Sequence, residues 1–253
     1  MTEVPSGQQW QVEQLRLTAF PVEAVPTHGL QWWQPLLSVP AASRMERPSE
    51  GVLVEQGPFS PEAGPNVLLT LEVGPMRIDW RVSFSGERAD PNQPPIIGPF
   101  GTVLAPFASL MHSWSQRAPA IQRLALGAIL LAPVENTKAG YARLATFLPF
   151  DIDPNSSDFS YQINRSRPAQ ALDGLEINRL SKWAVARMQS LRLAIGPATP
   201  TVEAVDILTA CRLEFDVNTS PKWEAALPSQ QLPALVDELV GLGQEIAAEG
   251  DKP

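Results

Sequence analysis

The sequence contains few of the side chains that carry most enzyme chemistry. Its 253 residues include one cysteine, two histidines, two tyrosines and only four lysines. These side chains supply most nucleophiles, general bases and zinc ligands in proteins. The single cysteine excludes an internal disulfide, and no closely spaced Cys/His pair is present to form a zinc site. The common phosphate-binding patterns GxxxxGK[ST] and GxGxxG are also absent. We therefore expect a protein without a cofactor that is not an enzyme.

Membrane and export signals are missing as well. No stretch approaches the roughly 18 uninterrupted apolar residues of a membrane helix, and the longest candidate, 124–134, is interrupted. The first five residues have neither the basic cap nor the apolar run of a secretory signal. We expect a cytoplasmic protein that does not enter a membrane.

The few chemically reactive side chains have structural interpretations. His112 lies beside the apolar stripe of a predicted helix, which favours a surface or capping role over catalysis. His28 lies in a short loop, and Cys211, in an apolar setting, is typical of a small buried side chain.

Charge is unevenly distributed along the chain. The net charge of -8 disfavours a protein that coats nucleic acid through its overall field. The segment 159–192 is nevertheless basic, whereas 224–252 is acidic. The basic segment contains Arg165, Arg167, Arg179, Lys182, Arg187 and Arg192 against Asp173 and Glu176. One part of the chain is suited to attract anions.

Proline content and periodicity together predict the fold class. The 26 prolines are about twice the average usage, and proline interrupts helices. We predict an α+β fold with a largely antiparallel sheet and few helices, in one domain over 1–253. Candidate seams between sub-domains are 87–99 and 149–158, which are rich in turn residues.

Residues of alternating polarity indicate the individual strands. We predict strands at 11–20, 51–57, 67–73, 78–84, 124–130, 159–163 and 213–217. The strands at 67–73 and 78–84 are predicted to form a hairpin closed by Gly74-Pro75. Helices are predicted from Pro106 to Arg117, after an Asn136 or Thr137 cap, and over 232–248. The segment 175–195 suits a helix or strands, and we favour strands. The order of elements also suggests two similar halves, each with strands followed by a helix.

The last 95 residues or so carry short motifs that suggest a relationship. They are Ile163-Asn164-Arg165, Ile177-Asn178-Arg179-Leu180, a strand ending in Asp216-Val217-Asn218, and the closing amphipathic helix. In these pieces the chain resembles a class of uncharacterised bacterial α+β proteins. The resemblance implies a fold type and no catalytic residue.

The repeated Ile-Asn-Arg pieces predict a binding surface. If their strands are neighbours, Asn and Arg side chains could converge on one face, where planar guanidinium groups bind carboxylate or phosphate. The predicted binding residues are Asn164, Arg165, Arg167, Asn178, Arg179 and Lys182. The alternative is that these charges face solvent and pair with Asp173, Glu176, Asp216 or the acidic final helix.

Adjacent tryptophans indicate a second candidate surface. Trp32 and Trp33 lie in a proline-bounded loop, and neighbouring side chains in an extended segment face opposite ways. One of them is then left to anchor a partner, as aromatic residues do at interfaces. A loop that plugs the edge of the core explains the same residues equally well.

These observations favour binding over catalysis. We expect a non-catalytic binding or assembly component of a bacterial multiprotein system that contacts an acidic or phosphorylated protein partner, and a homo-oligomer is compatible with this role. One alternative is a nucleic-acid-binding accessory protein that uses Arg165, Arg167, Arg179 and Lys182. The other is a metal-dependent phosphoester hydrolase that uses Asp151, Asp153 and Asp158 with Arg165. The 151–158 loop lacks the glycine and glutamate of a calcium loop, so a solvated turn also explains it, and we predict no metal site.

Overall fold

One antiparallel sheet and four helices make up the described part of this α+β protein. The computed structural model describes residues 10–59, 66–84, 95–194 and 201–251, with only the backbone given for 190–194 and 201–207. The strands are β1 (Gln11–Pro21), β2 (Ser43–Arg47), β3 (Val52–Pro58), β4 (Val67–Gly74), β5 (Arg77–Phe84), β6 (Gly98–Pro99), β7 (Ile121–Val134), β8 (Ser160–Asn164), β9 (Arg167–Pro168), β10 (Glu176–Ala194) and β11 (Thr201–Thr219). The helices are α1 (Trp33–Leu37), α2 (Phe100–Ser115), α3 (Thr137–Ala145) and α4 (Leu232–Glu249).

The strand order divides the sheet into two similar halves. The order is β2-β3-β4-β5-β1-β7-β11-β10-β8, with β6 beside β1 and β9 beside β10. In each half, the first strand lies beside the last one, as β1 lies beside β5 and β7 beside β11. The halves meet where β1 and β7 pair, with Leu17 opposite Leu126. Because α2 follows the first set of strands and α4 the second, the predicted strand-then-helix repetition matches the topology.

The helices cover a single face of the sheet. Leu17, Trp80 and Leu126 lie in one cross-strand row on this face and are almost fully buried. Each helix contacts the same face: Trp33 of α1 stacks on Trp80, and Trp114 of α2 meets Trp80 edge-on. Gly140 of α3 and Gly243 of α4 bring their backbones against Val185 and Phe215. The core therefore lies between the helices and this face, and the strands direct their alternate side chains to the other face.

Most predicted elements are confirmed, with differences at their ends. The hairpin of β4 and β5 closes through Gly74 and Arg77, and 175–195 forms a strand, β10. The Asn136 side chain caps α3 by accepting a hydrogen bond from the Ala139 backbone N–H at 2.9 Å. The strand predicted at 213–217 extends to Thr201–Thr219, because it pairs with β10 along its whole length.

The start of α2 differs from the prediction. The helix begins at Phe100, so Pro106 lies inside it and not in its first turn. Buried Phe100, Val103 and Leu104 continue the predicted apolar stripe toward the N-terminus. Both Pro106 and Thr102 are exposed, so water can solvate the carbonyl that Pro106 leaves without a donor.

Of the candidate seams, 87–99 lies mostly outside the described residues, and 149–158 forms the loop between α3 and β8. None of the helices in the described ranges has the length and apolar content needed to span a bilayer.

Candidate functional site

The predicted arginines lie on the helix-covered face and pair with the end of α4. Arg165 Nε lies 2.6 Å from Asp251 Oδ1. Arg167 Nη2 and Arg179 Nη2 lie 2.6 and 2.8 Å from Glu245 Oε1. Glu245 belongs to α4 and Asp251 follows its C-terminus. These contacts correspond to the alternative in which the basic segment pairs with the acidic final helix.

Burial distinguishes Arg179 from its two neighbours. Its side chain is 7 % exposed, against 47 % for Arg167 and 27 % for Glu245. Burial lowers the pKa of Arg179, and the charge of Glu245 only partly opposes this effect. Burial also raises the pKa of Glu245, but hydrogen bonds and charges from Arg167 and Arg179 outweigh it and hold this pKa below its usual value. Because Glu245 keeps more contact with water, the two arginines can lower its pKa. Arg179 is more deeply buried, so desolvation remains the dominant influence on its own pKa.

The predicted asparagines lie on the other face of the sheet. Asn164 Nδ2 donates to Asn178 Oδ1 at 3.2 Å, and Asn178 Nδ2 donates to Asn218 Oδ1 at 3.0 Å. Asn218 Nδ2 in turn donates to Asp216 Oδ1 at 2.7 Å. The expected convergence of Asn and Arg on one face is therefore wrong. Consecutive side chains of a strand point to opposite faces, so Asn178 and Arg179 separate.

Lys182 is the predicted cation that reaches the uncovered face. It is exposed there and borders a groove of about 420 Å³. Five neighbouring strands, β1, β7, β11, β10 and β8, supply the lining. The lining side chains of this face are Gln14, Arg16, Ile129, Gln162, Leu180, Lys182, Glu214 and Asp216, with Gly127 in the floor. We call this cavity the open-face groove.

Arg16 of β1 forms a positively charged side of the groove, and Arg81 lies next to it on β5, outside the lining. Arg16 lies opposite Arg81 in the strand pairing, an arrangement in which like charges repel. The Arg16 guanidinium lies over the β7 floor, since a Cβ at Gly127 would be 3.6 Å from Arg16 Nη2. Within the described residues its sole carboxylate neighbour is Asp79, 3.9 Å from Nε. Asp79 is already bound by Arg77 Nε at 2.5 Å and by the Thr18 hydroxyl.

A negatively charged side lies across the floor on β11. Asp216 is opposite Gly127, and Glu214 is opposite Ile129. Glu214 contacts Arg212 of the same strand, and the chain of asparagine amides ends on Asp216 Oδ1. Lys182 follows on β10, opposite Glu214. Across the groove, basic Arg16 on β1, the neutral floor of β7 and the acidic residues of β11 are therefore followed by basic Lys182 on β10.

The tryptophan pair belongs to the core. Trp33 is 2 % exposed and stacks on Trp80 with ring centroids 6.1 Å apart. Trp32 is half-buried and meets Trp114 edge-on at 6.0 Å. The loop enters the short helix α1 and folds over the apolar face, so its adjacent side chains do not separate as they would in a strand. This geometry corresponds to the core-plug alternative.

The acidic loop has the geometry of a solvated turn. Asp153 Oδ1 accepts the Asn155 backbone N–H at 2.9 Å, and Asp151, Asp153 and Asp158 are exposed. Searched over the described residues, the structure contains no group of three or more His, Cys, Asp or Glu that could hold a metal ion. Arg165, assigned to transition-state stabilisation in the hydrolase alternative, is held by Asp251, which raises its pKa.

His112 and Cys211, two of the few reactive side chains, have contacts that indicate a structural role. His112 Nδ1 lies 3.1 Å from Asp237, which links α2 to α4. Cys211 is fully buried, and burial raises the pKa of its thiol to about 11. A thiol with this pKa is a poor nucleophile at neutral pH.

Sequence reasoning missed most of the groove. Arg16, Gly127 and Glu214 come from distant parts of the chain, and only the strand order brings them together. The alternation of β5 does place Arg77, Asp79 and Arg81 away from the core, which is the available local signal. Comparisons with protein-family models, with curated proteins and with solved structures each found no match.

Proposed function

We propose that this protein is a non-catalytic binding or assembly component that holds a segment of a protein partner in the open-face groove. The observation that carries the proposal is a polar groove about 420 Å³ in volume on the face that the described helices do not cover. Its floor at Gly127 lacks a side chain, which leaves room for the Arg16 guanidinium that lines the groove. In this proposal the protein acts in the cytoplasm, as its buried, unpaired cysteine favours.

The charges of the groove favour a polypeptide over nucleic acid. A nucleic-acid backbone needs a continuous basic track, but Glu214 and Asp216 lie beside the basic stripe. Three of the cations suggested for nucleic acid, Arg165, Arg167 and Arg179, have carboxylate partners from the chain itself. An acidic group of a protein partner can contact Arg16 and Arg81 without lying along β11.

Filling the floor of the groove tests the proposal. At Gly127 an added Cβ meets no atom closer than 3.6 Å, so Gly127→Gln fits the fold while its side chain occupies the groove. Gly101→Gln is the matched control, because Gly101 is exposed on α2 with no atom near its Cβ position. A displayed library of random dodecapeptides is selected on the immobilised wild-type protein, and affinities of selected peptides are measured by fluorescence polarisation.

We expect the selected peptides to bind wild type and Gly101→Gln equally and Gly127→Gln at least tenfold more weakly. Equal binding to both glycine variants, or no enrichment on wild type, contradicts the proposal. Gel-shift assays with single- and double-stranded DNA form a second arm. Salt-dependent DNA binding that Arg16→Gln abolishes replaces the protein partner with nucleic acid. Light scattering that shows a dimer in wild type and a monomer in Gly127→Gln makes a second copy the occupant.

A further inference from the structure

We infer that the open-face groove recognises a partner segment carrying an acidic and a basic side chain close together, the acid held by Arg16 and Arg81 and the base by Asp216. The inference rests on the proposed function and specifies the partner's chemistry. It follows from the opposite charges of the two sides of one groove.

The basic side carries more positive charge than Asp79, which Arg16 shares with Arg77, can balance. Arg16 and Arg81 are cross-strand neighbours, and among the described residues Arg81 has no ion-pair partner. Arg16 Nε is buried without a hydrogen-bond acceptor, and the nearest carboxylate, Asp79, is bound by Arg77 and Thr18. A carboxylate of the partner placed beside these two arginines reduces their repulsion and can bind the guanidinium of Arg16 at the groove.

The acidic side is fixed in place and ready to accept. Asn218 holds Asp216 Oδ1, and Asn178 and Asn164 hold Asn218 in turn. Oδ2 of Asp216 accepts no hydrogen bond from any described residue. A lysine or arginine of the partner can bind this oxygen without disturbing the amide chain. The side chain is preorganised, which reduces the entropy lost on binding.

The distance between the two sides sets the spacing in the partner. Arg16 on β1 and Asp216 on β11 are separated by β7 alone, which corresponds to about 10 Å. An extended polypeptide advances about 3.3 Å per residue. Allowing for the reach of the side chains, the acidic and basic residues of the partner lie two to four positions apart.

Charge-neutralising substitutions on each side test the inference. Arg16→Gln removes the cation, and Asp216→Asn removes the anion while keeping an oxygen for Asn218. Matched controls are Arg47→Gln and Glu72→Gln, which change exposed charges of the same face outside the groove, on β2 and β4. The dodecapeptide library is selected separately on wild type and on each variant.

The pool from wild type and both controls should be enriched in peptides with Asp or Glu two to four residues from Lys or Arg. Selection on Arg16→Gln should lose the acidic enrichment and keep the basic one, and Asp216→Asn should do the reverse. A wild-type peptide should bind Arg16→Gln five- to tenfold more weakly, and changing its Glu to Gln should weaken binding to wild type but not to Arg16→Gln.

The two proposals fail in different ways. Pools with no mixed-charge enrichment, or pools that neither variant changes, overturn the inference even where Gly127→Gln still abolishes binding. Peptides that bind Gly127→Gln as tightly as wild type overturn the proposed function itself.

Discussion

Replacing Glu245 by glutamine should destabilise the fold, because Glu245 is the carboxylate that balances a buried arginine. Arg179 is 7 % exposed and its Nη2 lies 2.8 Å from Glu245 Oε1. Arg167, on the solvent side, contacts the same oxygen. Glu245→Gln preserves the size and one oxygen of the side chain but removes its charge. Arg179 is then a buried cation without its carboxylate.

The structure bounds the size of the effect. Breaking a fully buried ion pair by removing one partner costs about 3–5 kcal/mol. Glu245 retains partial exposure, and its contact with half-exposed Arg167 contributes at most about 1 kcal/mol. Since the glutamine oxygen can still accept a hydrogen bond, we expect a loss of about 2–3 kcal/mol in the free energy of unfolding. Glu249→Gln, the same change at an exposed position of α4, should stay within about 0.5 kcal/mol of wild type.

Urea unfolding followed by tryptophan fluorescence measures both variants, at pH 7 and in steps down to pH 3. The folded-state pKa of Glu245 lies below its ordinary value of about 4.3. The unfolded state therefore binds the proton more readily, and the stabilisation is complete above that value and is lost as pH falls through the folded-state pKa. The difference between wild type and Glu245→Gln should narrow below about pH 4. A Glu245→Gln variant as stable as Glu249→Gln at pH 7, or a difference at pH 3 as large as that at pH 7, refutes the reasoning.

Two further predictions concern the packing of α4 and of β11. Gly243→Ala places a Cβ 2.9 Å from the Phe215 ring and should lower the free energy of unfolding by about 1 kcal/mol. Gly241→Ala, in open space on the same helix, should raise it by about 0.5–1 kcal/mol. A rise in melting temperature for both variants contradicts the close approach of Gly243 to Phe215. Cys211 should resist Ellman's reagent at pH 8 until urea unfolds the protein, because burial raises its pKa to about 11. A cysteine introduced by Ser157→Cys at the exposed loop should react at once, and equally rapid reaction of Cys211 in the native protein contradicts its burial.

The sequence predicted the strands well because burial on one side imposes a period of two. The pattern of 67–73 and 78–84 identified both strands, their turn and their buried sides, since all of this information is local. The ends of β10 and β11 were harder to predict. Each extends to 19 residues because the other pairs with it, and pairing between strands is a tertiary property that a single segment does not record.

The candidate site was less predictable for a related reason. The same period of two implies that adjacent Asn178 and Arg179 face opposite sides, so the separation of amides and arginines could have been predicted once both segments were taken as strands. The position of Arg16 beside Arg81 could not, because it depends on β1 lying next to β5. Nor does composition reveal that the acidic segment after residue 224 supplies the partners of the basic one.

The face on which each cation lies therefore decides its role more than its position in the sequence does. Arg179 and Arg167 look like the centre of a basic surface, yet they lie under α4 and share Glu245. Arg16 stands alone in the sequence, yet its guanidinium lies over a glycine floor, and its neighbouring carboxylate, Asp79, is 3.9 Å away and already bound by Arg77 and Thr18. A cation already paired inside the chain must lose that partner before it binds another. For the arginines under α4, binding a ligand therefore costs the free energy of breaking an ion pair. Among the described residues Arg16 has only its long contact with Asp79 to give up, and this smaller cost in free energy is the physical reason to place binding on the open face.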